Sequence, residues 1–146
     1  MDNMRINNKY DCIRLENQLC FPLYACSKEV TRQYRKPLEK FNLTYTQYIA
    51  MMVFWEVGTI NVKELGKRLY LDSGTLTPLL KALEEKGFVR RSRSKEDERV
   101  LLVEITEAGE KLKEQAVNVP AKMNGCMNLT PEEAMTLYQL LYKVLS

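Results

Sequence analysis

The sequence predicts one domain, mainly α-helical, with a single small β-hairpin. Three observations carry this expectation. The 146 residues include only 6 glycines and 5 prolines, while Leu, Glu and Lys abound, a composition that favours helix. Apolar residues recur at spacings of three and four over most of the chain, the period of an amphipathic helix. One stretch alone, FVRRSRSKEDERVLLVEIT, has two short runs of β-type residues around a charged tip, the pattern of a hairpin.

The elements follow in order. From about Asp11 to Phe41, Leu15, Leu19, Leu23, Val30, Tyr34, Leu38 and Phe41 keep helical spacing. A long first helix is expected there, weakened or kinked at Pro22 and disturbed again at Pro37, because proline lacks the N–H that a helix interior uses. Thr44 followed by Gln47 reads as a capping box, so a second helix starts there and runs through Trp55 to Gly58. It is apolar nearly all round and should be buried. Residues 61–71 make a short amphipathic helix, and DSG (72–74) a tight connection. The next helix, 74–86, carries Leu76, Leu79, Leu80 and Leu83 on one stripe and is closed by Gly87. After the hairpin comes a helix from Thr106, interrupted near Pro120. Thr130-Pro131-Glu132-Glu133 is a strong start for the last helix.

Composition excludes several function classes. The formal charge of +3 is mildly basic and identifies no partner unless the basic residues cluster. The chain has no histidine, so histidine-based acid–base or nucleophilic catalysis is excluded. Cys12, Cys20, Cys26 and Cys126 form no C-x-x-C pair, so neither a zinc site nor any other metal or cofactor site is expected. No apolar run is long enough to span a membrane. The opening MDNMRINNKYDC lacks an apolar signal core, so a cytoplasmic protein with reduced thiols is expected.

Within a single domain over residues 1–146, residues 59–105 therefore read as a winged helix-turn-helix. Residues 10–43 and 106–146 are helices with wide apolar faces that one small winged unit cannot cover. Pairing with a second copy would cover them, so these are expected dimerisation helices. On the 74–86 helix the arc opposite the leucines holds Gly74, Thr77, Pro78, Lys81 and Glu85, with Ser73 and Thr75 at the helix start. Small hydroxyls and free N–H groups at a helix N-terminus suit contact with phosphates and base edges in a major groove. Pro78 is consistent with an early turn, where a missing N–H costs least. The hairpin tip clusters Arg90, Arg91, Arg93 and Lys95, with Arg99 after an acidic trio. An isolated charge run is usually a solvated turn; behind a helix-turn-helix it reads as a DNA-contacting wing. Asp97 and Arg99 are expected to pair and shape the tip.

The run DSGTLTPLLKALEEKGFVRRSRSKEDERVLLVEITEAG resembles the winged helix of the MarR (multiple antibiotic resistance regulator) family, whose wing pattern is the D-x-R seen here at Asp97 and Arg99 ahead of apolar strand residues. The stretch LENQLCF–LY with Tyr34, the segment LTYTQY and DSGTLTP are similar to the thiol-based peroxide-sensing branch, the organic hydroperoxide resistance regulators. The resemblance runs from about residue 12 to 145. It implies a dimer bound to a pseudo-palindromic double-stranded DNA operator.

Cys20 is the candidate reactive thiol. Tyr24, four residues on, shares its helix face, and a phenolic hydroxyl there can stabilise a thiolate. A thiolate attacks a peroxide to give a sulfenic acid, which condenses with a second thiol. In a regular helix Cys26 lies about 9 Å and Cys12 about 12 Å from Cys20, beyond the roughly 7 Å that a disulfide spans between Cα atoms. The resolving thiol is then Cys126 or a low-molecular-weight thiol from solution. Tyr34 stands about 21 Å along the same helix from Cys20, so any contact between them must cross between chains. The resemblance implies that Tyr34 and Tyr45 reach the reactive cysteine of the other subunit.

The expected function is thus a homodimeric transcriptional repressor that senses organic hydroperoxide or a related oxidant at Cys20 and releases DNA on oxidation. The alternatives are a regulator of the same fold released by a small phenolic effector, and a thiol peroxidase.

Overall fold

The computed structural model describes residues 8–146; the first residues of the opening segment lie outside the described residues. Seven α-helices and three short strands build it, among the described residues. Two turns of 3-10 helix, Asp11–Ile13 and Leu15–Asn17, precede α1, Cys20–Glu39. The expected long helix therefore begins nine residues late. Gln18 is extended (ψ 112°), and its amide donates to the carbonyls of Cys12 and Arg14 at 2.7 and 2.9 Å. These bonds fold the segment back on itself. Pro22 consequently sits in the first turn of α1, where an N–H has no helical acceptor, so it costs nothing there. It starts the main helix and does not kink one. Pro37 does not break α1 either, which continues to Glu39.

α2, Tyr45–Val57, opens with the expected capping box: Gln47 N–H donates to Thr44 Oγ1 at 3.3 Å and Thr44 N–H to Gln47 Oε1 at 3.1 Å. Tyr48, Ala50, Met51, Val53 and Phe54 are buried, Met51 and Phe54 fully so, while Met52 and Val57 stay exposed, so the helix is not covered all round as expected. α3, Val62–Leu69, is capped by Asn61, and Tyr70 ends it in the left-handed region. α4, Ser73–Glu85, is capped by Asp72 and stops where Gly87 takes φ +80°.

The hairpin is β2, Val89–Arg93, against β3, Leu101–Ile105, in antiparallel register Arg91↔Val103. A third strand, β1, Thr59–Asn61, pairs with the other edge of β3 and gives the order β1-β3-β2. Sequence reasoning missed it: at three residues it has no alternation to read. α5, Glu107–Ala116, and α6, Val119–Lys122, replace the single interrupted helix. The break falls at Val117 and Asn118, and Pro120 sits harmlessly in the first turn of α6. α7, Pro131–Leu145, has the expected proline start and a capping box between Thr130 and Glu133.

The core joins the two ends of the chain through the middle. Leu38 of α1, Tyr48, Met51 and Phe54 of α2, Leu65 of α3, the α4 leucines, Val89, Val103 and Val119 form one cluster. α7 contributes nothing to it: none of its residues is buried, and Met135, Tyr138, Leu140, Tyr142 and Val144 stand more than half exposed. Ile13, Leu15, Leu19 and Tyr24 at the other end are also more than half exposed. Among the described residues no helix is long and apolar enough to cross a membrane.

Candidate nucleic-acid interface and thiol site

α4 buries Leu76, Leu79, Leu80 and Leu83 and turns Ser73, Gly74, Thr75, Thr77, Pro78 and Lys81 to solvent. The split follows from the leucine stripe, whose burial drives the docking of α4. Asp72 Oδ1 accepts from Thr75 N–H at 2.8 Å, which leaves the N–H groups of Ser73 and Gly74 free at the helix start. Thr77 donates to the Ser73 carbonyl at 2.8 Å. Pro78 is in the second turn, not the first, so its missing N–H leaves the Gly74 carbonyl without its helical donor. That carbonyl lies on the solvent-facing arc.

The wing divides its charges between structure and surface. Arg93 and Lys95 are exposed and carry no ion pair among the described residues. Arg99 pairs with Asp97 as expected: its N–H donates to Asp97 Oδ1 at 3.0 Å and its guanidinium at 3.2 Å. These bonds, the backbone one foremost, hold the Asp97 carboxyl below its usual range. Arg99 stays 91% exposed at its side chain and can still face a phosphate. Arg91 is held within the chain as well. Its N–H and guanidinium grip Glu84 of α4 at 2.7, 3.2 and 3.1 Å, and the pair lowers the Glu84 carboxyl. Arg91 braces the wing against α4. The partner at Glu84 was unreadable in sequence because the contact spans a loop.

Lys63 and Lys67 of α3 were also missed as exposed basic groups on this face. With Asn61, Tyr70, Arg99 and Leu101 they line an open cleft of about 880 Å³ between α3 and the base of the wing. Their one sequence signal is the Asn61 cap, which accepts from Glu64 N–H at 2.8 Å.

The thiol residues are split between two places in one chain. Cys20 is exposed at the first position of α1. Tyr24 is 61% exposed, with the Lys28 ammonium 5.3 Å from its ring centroid. Among the described residues no hydrogen bond joins Cys20 to Tyr24. At the other end of α1, Tyr34 packs on Tyr45 (ring centroids 4.7 Å apart) and Tyr48 (5.9 Å). Cys126 is half-buried in the turn before α7. Burial, then Tyr45 and Cys126, push the Tyr34 phenol up. Burial raises Tyr45, and burial with Tyr34 and Tyr45 pushes Tyr48 up to about 12. All three are therefore neutral O–H groups near pH 7, able to donate to an incoming anion. The sequence did not flag Tyr48, although its spacing from Tyr45 is helical.

Cys26 is on α1 as expected, about 9 Å of helical rise from Cys20. Cys12 lies in the 3-10 turn Asp11–Ile13 ahead of α1, not on α1 itself, and its thiol donates to the Lys9 carbonyl at 3.1 Å. The helical distance expected for Cys12 no longer applies.

A capped recognition helix, a β-wing and flanking helices with uncovered apolar faces define a winged helix-turn-helix transcriptional regulator. The chain belongs to the SarA/Rot family of transcriptional regulators, which matches residues 32–116, within the MarR-type fold. It is 49% identical over 140 residues to the organic hydroperoxide resistance transcriptional regulator of Bacillus subtilis, covering 96% of this chain and 95% of that one. Its fold superposes on reduced AbfR bound to DNA with a TM-score of 0.78 at 33% identity, covering 94% of this chain and 96% of that one; AbfR is a protein of Staphylococcus epidermidis. The reduced form of MarR from E. coli gives a TM-score of 0.69 at 30% identity, over 88% of this chain and 97% of that one.

Proposed function

We propose that the protein is a cytoplasmic homodimeric repressor that holds a pseudo-palindromic operator and releases it when a hydroperoxide oxidises Cys20. One observation carries the sensing part. Tyr34 and Tyr45 pack on each other towards one end of α1, while Cys20 stands exposed at the other end. A second copy can bring its own Cys20 to that cluster, and pairing through residues 10–43 and 106–146 also covers the apolar faces of α1 and α7.

The chemistry follows. In the reduced dimer, Tyr34 and Tyr45 donate to the Cys20 thiolate of the partner subunit, with Tyr24 alongside. The thiolate attacks the outer peroxide oxygen; the O–O bond breaks, the sulfur becomes a sulfenic acid, and the alkoxide leaves as an alcohol after taking a proton. The Cys126 thiol then attacks the sulfenic sulfur, forming a disulfide between chains and releasing water. A low-molecular-weight thiol can take the place of Cys126 in that step. Either outcome removes the anion that the tyrosines hold. The loss shifts α1 and with it the spacing of two α4 helices that sit one DNA turn apart.

Ser73, Gly74, Thr75, Thr77, Pro78 and Lys81 are the α4 contacts in this reading, with Arg93, Lys95 and Arg99 from the wing. The reading is of a regulator and not of a thiol peroxidase, which would show peroxide turnover. Cys20→Ser should bind DNA like the wild type and stay bound in hydroperoxide. Release of the mutant at wild-type doses would refute the assignment. Mass spectrometry of the oxidised protein distinguishes a Cys20–Cys126 link from a mixed disulfide at Cys20.

A second reading has one observation in its favour. A pocket of about 640 Å³ between the end of α1, the start of α2 and Lys86 is lined by Arg35, Lys36, Thr44 and Tyr45, a setting for a small phenolic anion. Release by such an anion, with no response to peroxide, would select it.

A further inference from the structure

Lys86 closes α4 and reaches across the fold. Its ammonium donates to the Asn42 carbonyl and, at 2.9 Å, to Gln47 Oε1. Gln47 is 8% exposed, and the same Oε1 accepts from Thr44 N–H in the capping box of α2. One side-chain oxygen therefore joins the start of α2 to the end of α4. Between Thr44 and Gln47 lies Tyr45, packed on Tyr34. Asn42 itself holds φ +52°, so the α1–α2 corner is a tight turn with little slack. On the other side the end of α4 is held by Thr106 Oγ1, which donates to the Gly87 carbonyl at 2.5 Å.

The opposite end of α4 carries Ser73 and the free N–H groups, about 20 Å up the axis from Lys86 at helical rise. Lys86 is thus remote from the DNA-facing start of α4, and among the described residues no hydrogen bond joins it to a thiol. Its two acceptors belong to the corner that holds Tyr45. Within one chain these are the polar side-chain bonds that tie the exit of α4 to that corner, among the described residues.

We propose that Lys86 is the positioning residue that carries the state of the tyrosine cluster to the DNA-reading helix. The proposal rests on the sensing reading above. When Tyr45 gains or loses the thiolate of the partner subunit, the first turn of α2 shifts, and Gln47 and Asn42 move with it. Lys86 draws the end of α4 along. Because α4 is a rigid rod seated on its leucines, its DNA-facing start is displaced as well.

The test uses the full-length protein and an operator fragment at fixed salt, since salt alone shifts such affinities. Kd is measured for reduced protein and for protein treated with tert-butyl hydroperoxide, together with the rate of Cys20 oxidation by thiol labelling. Lys86→Met should oxidise at the wild-type rate, yet its ratio of oxidised to reduced Kd should fall about fivefold or more, the range of an ordinary coupling between sites. Lys86→Arg, which keeps charge and donors, should restore the ratio. A wild-type ratio in Lys86→Met overturns the proposal. So does an equal factor on both Kd values, which is the mark of a merely structural role. Lys86→Gln replaces the Met variant if that one melts far below the wild type. If the wild type itself is not released by hydroperoxide, the sensing reading fails and the coupling falls with it; normal release of both wild type and variant sinks the coupling alone.

Discussion

Gly109 is where the C-terminal helices meet the winged unit, and a single methyl group there tests that seat. Gly109 is the third residue of α5. A Cβ built on it would lie 2.4 Å from the Phe88 carbonyl oxygen and 2.7 Å from Ile105 Cγ1. The first contact is with backbone, which cannot rotate away, so either α5 or the start of β2 must move. Its carbonyl also accepts from Trp55 Nε1 at 2.9 Å, and moving α5 strains that bond. Alanine gains up to about 1 kcal/mol of helix propensity over glycine, and less so near a helix start. Forcing a methyl into a packed contact costs about 1–3 kcal/mol, and a weakened hydrogen bond about 1 kcal/mol more. Gly109→Ala should therefore lose about 1–3 kcal/mol net. For a chain of this size that lowers Tm by roughly 2–4 °C per kcal/mol, so a drop of about 2–12 °C is expected. Thermal melting at one protein concentration reads the shift. Trp55 is the only tryptophan, so its fluorescence reports the same seat directly and should change in the native baseline. An unchanged or raised Tm with unaltered emission would show that α5 does not sit on Phe88 and Ile105 as described.

Two other outcomes follow from the wing. Arg93→Ala should weaken DNA binding about equally across sequences and reduce the slope of log K against log salt by about one; a loss confined to one operator sequence would mean that Arg93 reads bases. Glu84→Gln should free Arg91 and loosen the wing. The Glu84 carboxyl is lowered below its usual range by Arg91 in the folded state, so the pair stabilises above the unfolded carboxyl pKa and fades as pH falls through the lower folded value. The melting difference between wild type and mutant should thus be present at neutral pH and vanish in strong acid, and a difference that persists there would contradict the pairing.

Local signals were legible in the sequence and tertiary ones were not. Thr44 with Gln47 and Thr130 with Glu133 formed the capping boxes expected, because such a box needs only four consecutive residues. The leucine stripe of α4 and the glycine at its end were equally local. The start of α1 was misjudged because Leu15 and Leu19 keep helical spacing while Gln18 and Asn17 bond back to carbonyls of the preceding turns. Spacing does not register such competition from polar side chains. β1 gains its identity only from pairing with β3, about forty residues away. Of the site, the exposed arc of α4 and the Asp97–Arg99 pair were readable. The bracing of Arg91 by Glu84 and the reach of Lys86 to Asn42 and Gln47 depend on how elements pack, which no run of residues records.

The bare apolar face of α7 has a further consequence. A helix with no buried residue in its own chain gains little by folding alone, so under the proposed pairing through residues 106–146 its order and its pairing would be one equilibrium. Dilution then removes structure as well as partners, and the amount of chain in the cell sets what fraction of it is fully formed. A regulator paired in that way would carry a concentration threshold within its own architecture: below it, the operator would be free whatever the oxidant level.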